Sequence, residues 1–299
     1  MRARLHSGLA LLIATVLMLT SVGSVAAQDG APRWNLQKGQ AFDLVVQQDI
    51  RQIVRMHGLA DQEIPMTQRS DSTWTVTEAT ADDFTIEQVM SRMQMSVRSP
   101  MMRLSFDSDE ANPTDSASRQ MKDAISKVIG QKIVVRMTRR GEVVSVTLPD
   151  GFKNAPASPA NPFSADTLRQ MVQQASVAFP DGALTTGTTW DHTVDTGMNG
   201  MQMKAKTVYT YDGLHDVDGT PTHRITSRVE MTMNGGMMGL PMALRKQENT
   251  GTLLFNAKDG RLTSVKTRTN LTMEIDAGGQ RVEQDMVGDT TITLTPRIP

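Results

Sequence analysis

The sequence predicts a mainly β protein: a long, curved antiparallel sheet or half-barrel, internally duplicated, with two amphipathic helices. Three observations carry that expectation. Apolar residues recur at every second position, as in Phe42, Leu44 and Val46, in Ile133, Val135 and Met137, and in Leu271, Met273 and Ile275. Turn dipeptides punctuate these runs: Arg140-Gly141, Asp212-Gly213, Asp218-Gly219, Asn234-Gly235, Asp259-Gly260 and Gly278-Gly279. Glycine there supplies the positive φ that tight hairpins need. Finally, three segments of the first half are echoed, in the same order, in the second.

Residues 1–27 read as a secretory signal. Arg2 and Arg4 precede an apolar run from Leu9 to Leu19, and Val25-Ala26-Ala27 offers small residues for cleavage near Ala27. The run is too short and wrongly flanked for a stable span. The chain is therefore expected to be exported, to the periplasm or beyond, starting near Gln28 and without a stable membrane anchor after cleavage. No cysteine is present, so neither a lipidation site nor a disulfide is available.

Of 299 residues, 272 then remain, enough for one large domain or two moderate ones. Their 29 basic and 32 acidic residues nearly cancel. Nucleic acid is accordingly not an expected partner, and at 4% aromatics are too scarce for base-stacking platforms.

Residues 28–150 read as a first β repeat. Within it, apolar parity is even at Phe84 and Ile86 and odd by Val89, Met93 and Met95, which predicts a β-bulge that bends the sheet. A helix is expected over 116–129, with Met121, Ile125, Val128 and Ile129 on one face and Gly130 as its stop. Residues 151–163 form a proline-punctuated connection. Residues 164–299 supply a second helix, from Ser164 to Phe179, and a second β repeat, sharing one core with 28–150 or forming its own.

The echoes match Ile133–Met137, Gly141 and Val143–Val146 with Thr252–Asn256, Gly260 and Leu262–Val265. Ser91–Met95 matches Ser227–Met231, and Gly39 with Phe42-Asp43 matches Gly187 with Trp190-Asp191. Chance likeness between alternating hairpins is the bland reading, and duplication the sharper one.

The order of certain segments resembles a family of exported bacterial proteins of unknown function. Those segments are Trp34-Asn35-Leu36-Gln37-Lys38-Gly39-Gln40-Ala41-Phe42, Phe106-Asp107-Ser108, the first helix, Met137-Thr138-Arg139-Arg140-Gly141-Glu142-Val143, and Phe179-Pro180-Asp181-Gly182 ahead of Gly187-Thr188-Thr189-Trp190. The resemblance spans nearly the whole mature chain and carries no activity. Its general look is similar to periplasmic lipoprotein-carrier folds, which implies a concave apolar face able to take an acyl chain.

Methionine is the oddest feature of the composition, 22 in the chain. The residues cluster at 90–102, 198–203 and 231–242, and Met93 with Met95, like Met231 with Met233, share a strand face. Three readings stand side by side: flexible core filler in place of leucine, an adaptable face for an apolar ligand, or soft thioether ligands for Cu(I) through Met198, Met201 and Met203. The four mature histidines (His57, His192, His215, His223) lack zinc-site spacing. His215-Asp216-x-Asp218-Gly219 reads as a hairpin tip. Asp107-Ser108-Asp109-Glu110 lacks the glycine and the terminal glutamate of a calcium loop. No nucleophile elbow, phosphate loop or dinucleotide fingerprint occurs.

The sequence thus leads to an exported binding protein that is not an enzyme and uses no cofactor. Its expected partner is a lipid or other apolar small molecule held by Met93, Met95, Met231 and Met233. An envelope protein docked on the sheet and Cu(I) bound by the Met clusters are the alternatives.

Overall fold

The computed structural model describes residues 31–99, 103–149, 172, 178–198, 201–237, 240–276 and 279–297. The expected signal (1–27), the proline-rich connection (151–163) and nearly all of the expected second helix (164–179) lie outside these residues. The described residues form twelve strands: β1 (Ala41–Met56), β2 (Gln62–Ala79), β3 (Asp83–Arg98), β4 (Arg103–Asp107), β5 (Lys132–Thr138), β6 (Val143–Thr147), β7 (Thr189–Met198), β8 (Met201–Val217), β9 (Thr220–Met237), β10 (Leu240–Asn256), β11 (Arg261–Asp276) and β12 (Arg281–Pro296). Helix α1 (Ser116–Ile125) lies between β4 and β5.

All twelve strands join one open antiparallel sheet in the order β6-β5-β3-β2-β1-β12-β11-β10-β9-β8-β7. Strands β4 and β5 share the free side of β3. β5 pairs with Asp83–Val89, and β4 pairs with Gln94–Arg98. The two halves of the chain meet where β1 pairs with β12, from Phe42↔Pro296 to Met56↔Val282. Strands of 16 to 18 residues stand about 55 Å tall, several times the usual height.

The two-residue period works as the sequence predicts. Phe42, Leu44 and Val46 are buried, as are Val135 and Met137, Leu253 and Phe255, and Leu271 and Met273. The parity switch in β3 is the expected bulge: Asp71 pairs with Arg92 and Ser72 with Met90, leaving Ser91 extra. Gly251 of β10 faces inward, where a Cβ would stand 2.5 Å from Ser227 Oγ and 3.2 Å from Thr267 Cγ2. Its missing side chain lets β9 and β11 close in on the concave side.

Two of the expected turns are something else. Gly213 lies inside β8 at a bulge, since Tyr211 pairs with Ile225 and Gly213 with Arg224, leaving Asp212 extra. Gly235 lies inside β9. Both keep positive φ, and the glycine signal for a bulge is the same as that for a turn. The tip at Asp218-Gly219 is a true turn, with Gly219 N donating to Asp216 Oδ1. Helix α1 stops four residues earlier than the 129 expected. Asp115 caps its first turn by accepting from Ser118 N. After Ile125 the chain continues as turns, because Gly130, at positive φ, donates its N–H to Met90 O and draws the segment onto β3.

The two halves repeat each other in local detail. Before β1, Gly39 N donates to Val76 O and Val76 N to Gln40 O; before β7, Gly187 N donates to Tyr211 O and Tyr211 N to Thr188 O. Both glycines are at φ near +90°. One residue past Val76, Thr77 is bulged out of β2, as Asp212 is bulged out of β8 one residue past Tyr211. The β5–β6 hairpin bulges at Val144, and β10–β11 bulges at Thr263 in the matching place.

Two apolar clusters fill the concave face. One, at the Trp34 end, draws on both halves; the other, at the far end, lies under α1. No helix among the described residues is long and apolar enough to cross a membrane.

Candidate functional site: the methionine-lined end of the concave face

The chain segregates its large side chains along the height of the sheet. All three tryptophans, both tyrosines and Phe42, Phe84, Phe179 and Phe255 belong to one end. There Trp34, 1% exposed, packs on Trp74, Phe84 and Phe255. Phe179 lies against Phe255 and Trp190, and Trp190 stacks on Tyr209 at 5.4 Å. The backbone ties this stopper to both halves, since Trp34 N donates to Arg139 O and Asn35 N to Gly260 O, each at 2.9 Å. That end is filled by the protein itself.

A belt of polar side chains crosses mid-height: Gln48, Gln68, Ser70, Ser72, Thr207 and Asn249 are all buried. Gln48 donates to Thr290 Oγ1, and Asn249 Nδ2 reaches Val229 O at 3.4 Å. Asn249 Oδ1 has no hydrogen-bond partner among the described residues and borders a void of about 30 Å³ lined by Ser227, Thr267 and Thr290. Val229, Val265 and Ile292 line it too, and it has room for one water.

Below the belt lies the methionine end. Met93 and Met95 of β3 are buried with Ile50, Met66, Leu271 and Met286, under Ala117, Met121 and Ile125 of α1. Met231 of β9 packs on this cluster from the opposite half and stays half-buried, as do Met90, Met121 and Leu244. The structure therefore brings together three of the four site residues expected from sequence. Met233, half-buried, lies one step further along the same strand face and outside the cluster; it stands opposite Met203 of β8. Met198 pairs with Met201 in backbone register, while their side chains lie outside the described residues. Sequence reasoning missed Met66 and Met286, because Gln68, Ser70 and Ser72 dilute the alternation of β2 and Gly288 and Thr290 that of β12.

One side of this end is interrupted. β9 and β10 pair from Thr222↔Asn256 to Val229↔Asn249 and again at Gly236↔Pro241 and Met237↔Leu240, with no ladder partners between. In that gap Gln247 Nε2 donates to Met231 O (2.8 Å), and Met231 N donates to Gln247 Oε1 (2.6 Å).

Charge around this end is paired. Arg92 holds Asp107, which also accepts from Gln94 and from Asp109 N, and the guanidinium keeps the Asp107 carboxyl well below the usual carboxylate range. The acidic loop thus has its leading carboxylate committed to an arginine. Arg55 binds Asp61, Glu283 and Asp285, and Arg245 binds Glu274. At the stoppered end His223 Nδ1 lies 2.7 Å from Tyr211 Oη, and burial pushes its pKa down to about 4. On the other face of β8–β12 a hollow of about 680 Å³ has Thr210, Thr226, Thr250 and Thr252 in its lining together with Val208, and Arg228, Lys266 and Arg268 among its charged residues.

Residues 81–158, the stretch from β3 through β6, match the family of unknown function DUF6263. The match agrees with the resemblance read from sequence and covers a smaller part of the chain. No curated protein matches the chain. Among solved structures it is similar to lipovitellin, in a study of lipid–protein interactions, with 8% identity and a TM-score of 0.44 over 86% of this chain and 25% of that one. The chain spans only a quarter of the length of lipovitellin. It is also similar to DynF from the dynemicin biosynthesis pathway of Micromonospora chersina (9% identity, TM-score 0.24, 93% of this chain and 94% of that one). A third likeness is to an outer membrane channel from Pseudomonas putida F1 (8%, 0.25, 87% and 97%). Likenesses at these scores carry no argument about function.

Proposed function

We propose that this protein is exported and holds a lipid or other apolar ligand on the methionine-lined end of its concave face. One observation carries the reading. Met93 and Met95 from the first half and Met231 from the second meet under α1, where Met121, Met231 and Leu244 remain only half-buried, as does Met233 one step further along β9. The opposite end is closed by tryptophan and phenylalanine. Rigid aromatics complete a finished core; unbranched thioethers repack around apolar guests of varying shape. Helix α1 is suited to a cover, since it is tied to the sheet by a neutral side-chain bond, Ser118 Oγ donating to Ser105 O, and flexible Met121 faces the cluster.

Native mass spectrometry of residues 28–299 tests this, together with titration of a fluorescent fatty acid. A releasable apolar mass, or saturable probe binding that a lipid extract competes away, is the expected result. A bare chain that binds no probe sinks the reading and favours an envelope protein as partner. Whole copper ions on the chain would instead favour the thioethers of Met203 and Met233, which stand directly opposite each other.

We also infer that the halves are copies of one unit. The paired glycine turns before β1 and β7 and the two matching pairs of bulges support this more strongly than strand order does, because any run of hairpins yields a meander. Relatives that keep both glycines and both sets of bulges while their sequences diverge would bear it out; relatives lacking one set would count against it.

A further inference from the structure

We propose that the gap between β9 and β10 is a lateral portal, through which a single linear acyl chain enters the methionine-lined face, with Gln247 as its latch. The proposal rests on the ligand reading above and adds the route and the shape of the ligand. Six residues of β9 (230–235) and seven of β10 (242–248) lack ladder partners across the gap, although β9 stays paired with β8 and β10 with β11. The sequence explains the gap. Arg245-Lys246-Gln247-Glu248 places four exposed residues in a row, so nothing apolar zips this stretch inward between Leu244 and Asn249. Pro241 has no N–H to give, and the bulge at Arg245 takes β10 out of step with β11.

What closes the gap is a side chain. The Gln247 amide makes one bond as donor and one as acceptor with the backbone of Met231, the two bonds a neighbouring strand residue would make. Both are neutral and solvent-exposed, so water replaces them at small cost when the latch swings out. Behind the latch sits the half-buried Met231 side chain, touching the cluster of Met93 and Met95. The interrupted stretch runs about 20 Å along the strands, a length that suits an extended long acyl chain and not a compact ring system.

The chain has no cysteine, so a Thr232→Cys/Lys246→Cys pair, both exposed and one register step from Met231 and Gln247, can lock the gap by a disulfide or a short bis-thiol linker. The probe is cis-parinaric acid, followed by stopped-flow fluorescence, with the reduced double variant as folding control. Locking is expected to slow association at least tenfold, reduction to restore it, and Gln247→Ala to speed it. Equal rates in the locked and reduced forms overturn the portal while leaving the ligand reading intact. A wild-type chain that binds no parinaric acid overturns the ligand reading, and the portal with it.

Discussion

The indole of Trp34 meets the ring of Phe255 edge-on, centroids 6.1 Å apart and planes at 89°. Trp34 precedes β1 and Phe255 closes β10, so this contact, with Trp34 against Phe84 of β3, staples the two halves across the concave face. An open sheet has no barrel closure to hold its curvature, and here a stopper does that work.

Trp34→Ala is therefore expected to destabilise the fold by about 3–5 kcal/mol, the usual cost of deleting a buried large aromatic. Trp34→Phe should lose less, because it keeps the edge contact with Phe255. Urea unfolding midpoints decide it, and a loss under about 1 kcal/mol for the alanine variant would mean that the stopper is ornamental.

Gly251→Ala should also destabilise, for the opposite reason. The new methyl would stand 2.5 Å from Ser227 Oγ and 3.2 Å from Thr267 Cγ2, so the Ser227 hydroxyl must turn away or β9 must move outward, at about 1–3 kcal/mol. Removing the obstructing hydroxyl with Ser227→Gly should recover part of that loss. The two changes should be non-additive in a double-mutant cycle, and strict additivity would show that the close approach does not exist in solution.

His223 gives the fold a pH dependence. Burial lowers its folded pKa to about 4, against about 6.5 for the free imidazole, so between those values the unfolded chain binds the extra proton. Its contribution to stability is whole above about pH 6.5, declines as pH falls, and levels off below about 4. Asp107 and Asp285, held low by Arg92 and by Thr272 with Arg55, add their own losses in more acidic solution. His223→Gln retains a polar partner for Tyr211 and cannot titrate. The midpoint difference between wild type and this variant should thus shift against wild type on going from pH 7 to pH 4.5, and a difference that stays flat contradicts a buried neutral imidazole.

Alternation makes the strands legible, and a single parity change in the sequence is enough to place the Ser91 bulge. Which strands are neighbours is not legible in the same way. Met93 and Met231 lie on one face of one sheet, yet their meeting depends on the β1–β12 pairing, a contact between the ends of the chain that no local pattern announces. The same limit hides Met66 and Met286. Gly213 and Gly235 mislead because positive φ serves a bulge as well as a hairpin. The β9–β10 gap falls on Arg245–Glu248, the first four residues of a polar run that continues through Asn249 and Thr250 into the paired ladder, and a polar run reads equally as a loop.

Core filler and ligand surface make opposite demands on the methionines, and paired substitutions separate them. Met93 and Met95 are almost wholly buried, so glutamine at either should cost about 2–4 kcal/mol through an unpaired buried amide. Met231 and Met233 keep part of their surface in water, so Met231→Gln/Met233→Gln should cost about 1 kcal/mol or less. That same double variant should bind a fluorescent fatty acid at least tenfold more weakly, because the ligand would have to desolvate two amides to lie where the thioethers were. If the affinity is unchanged while Met231→Gln/Met233→Gln melts far below wild type, these residues are core like Met93 and Met95, and the concave face has no site at that position.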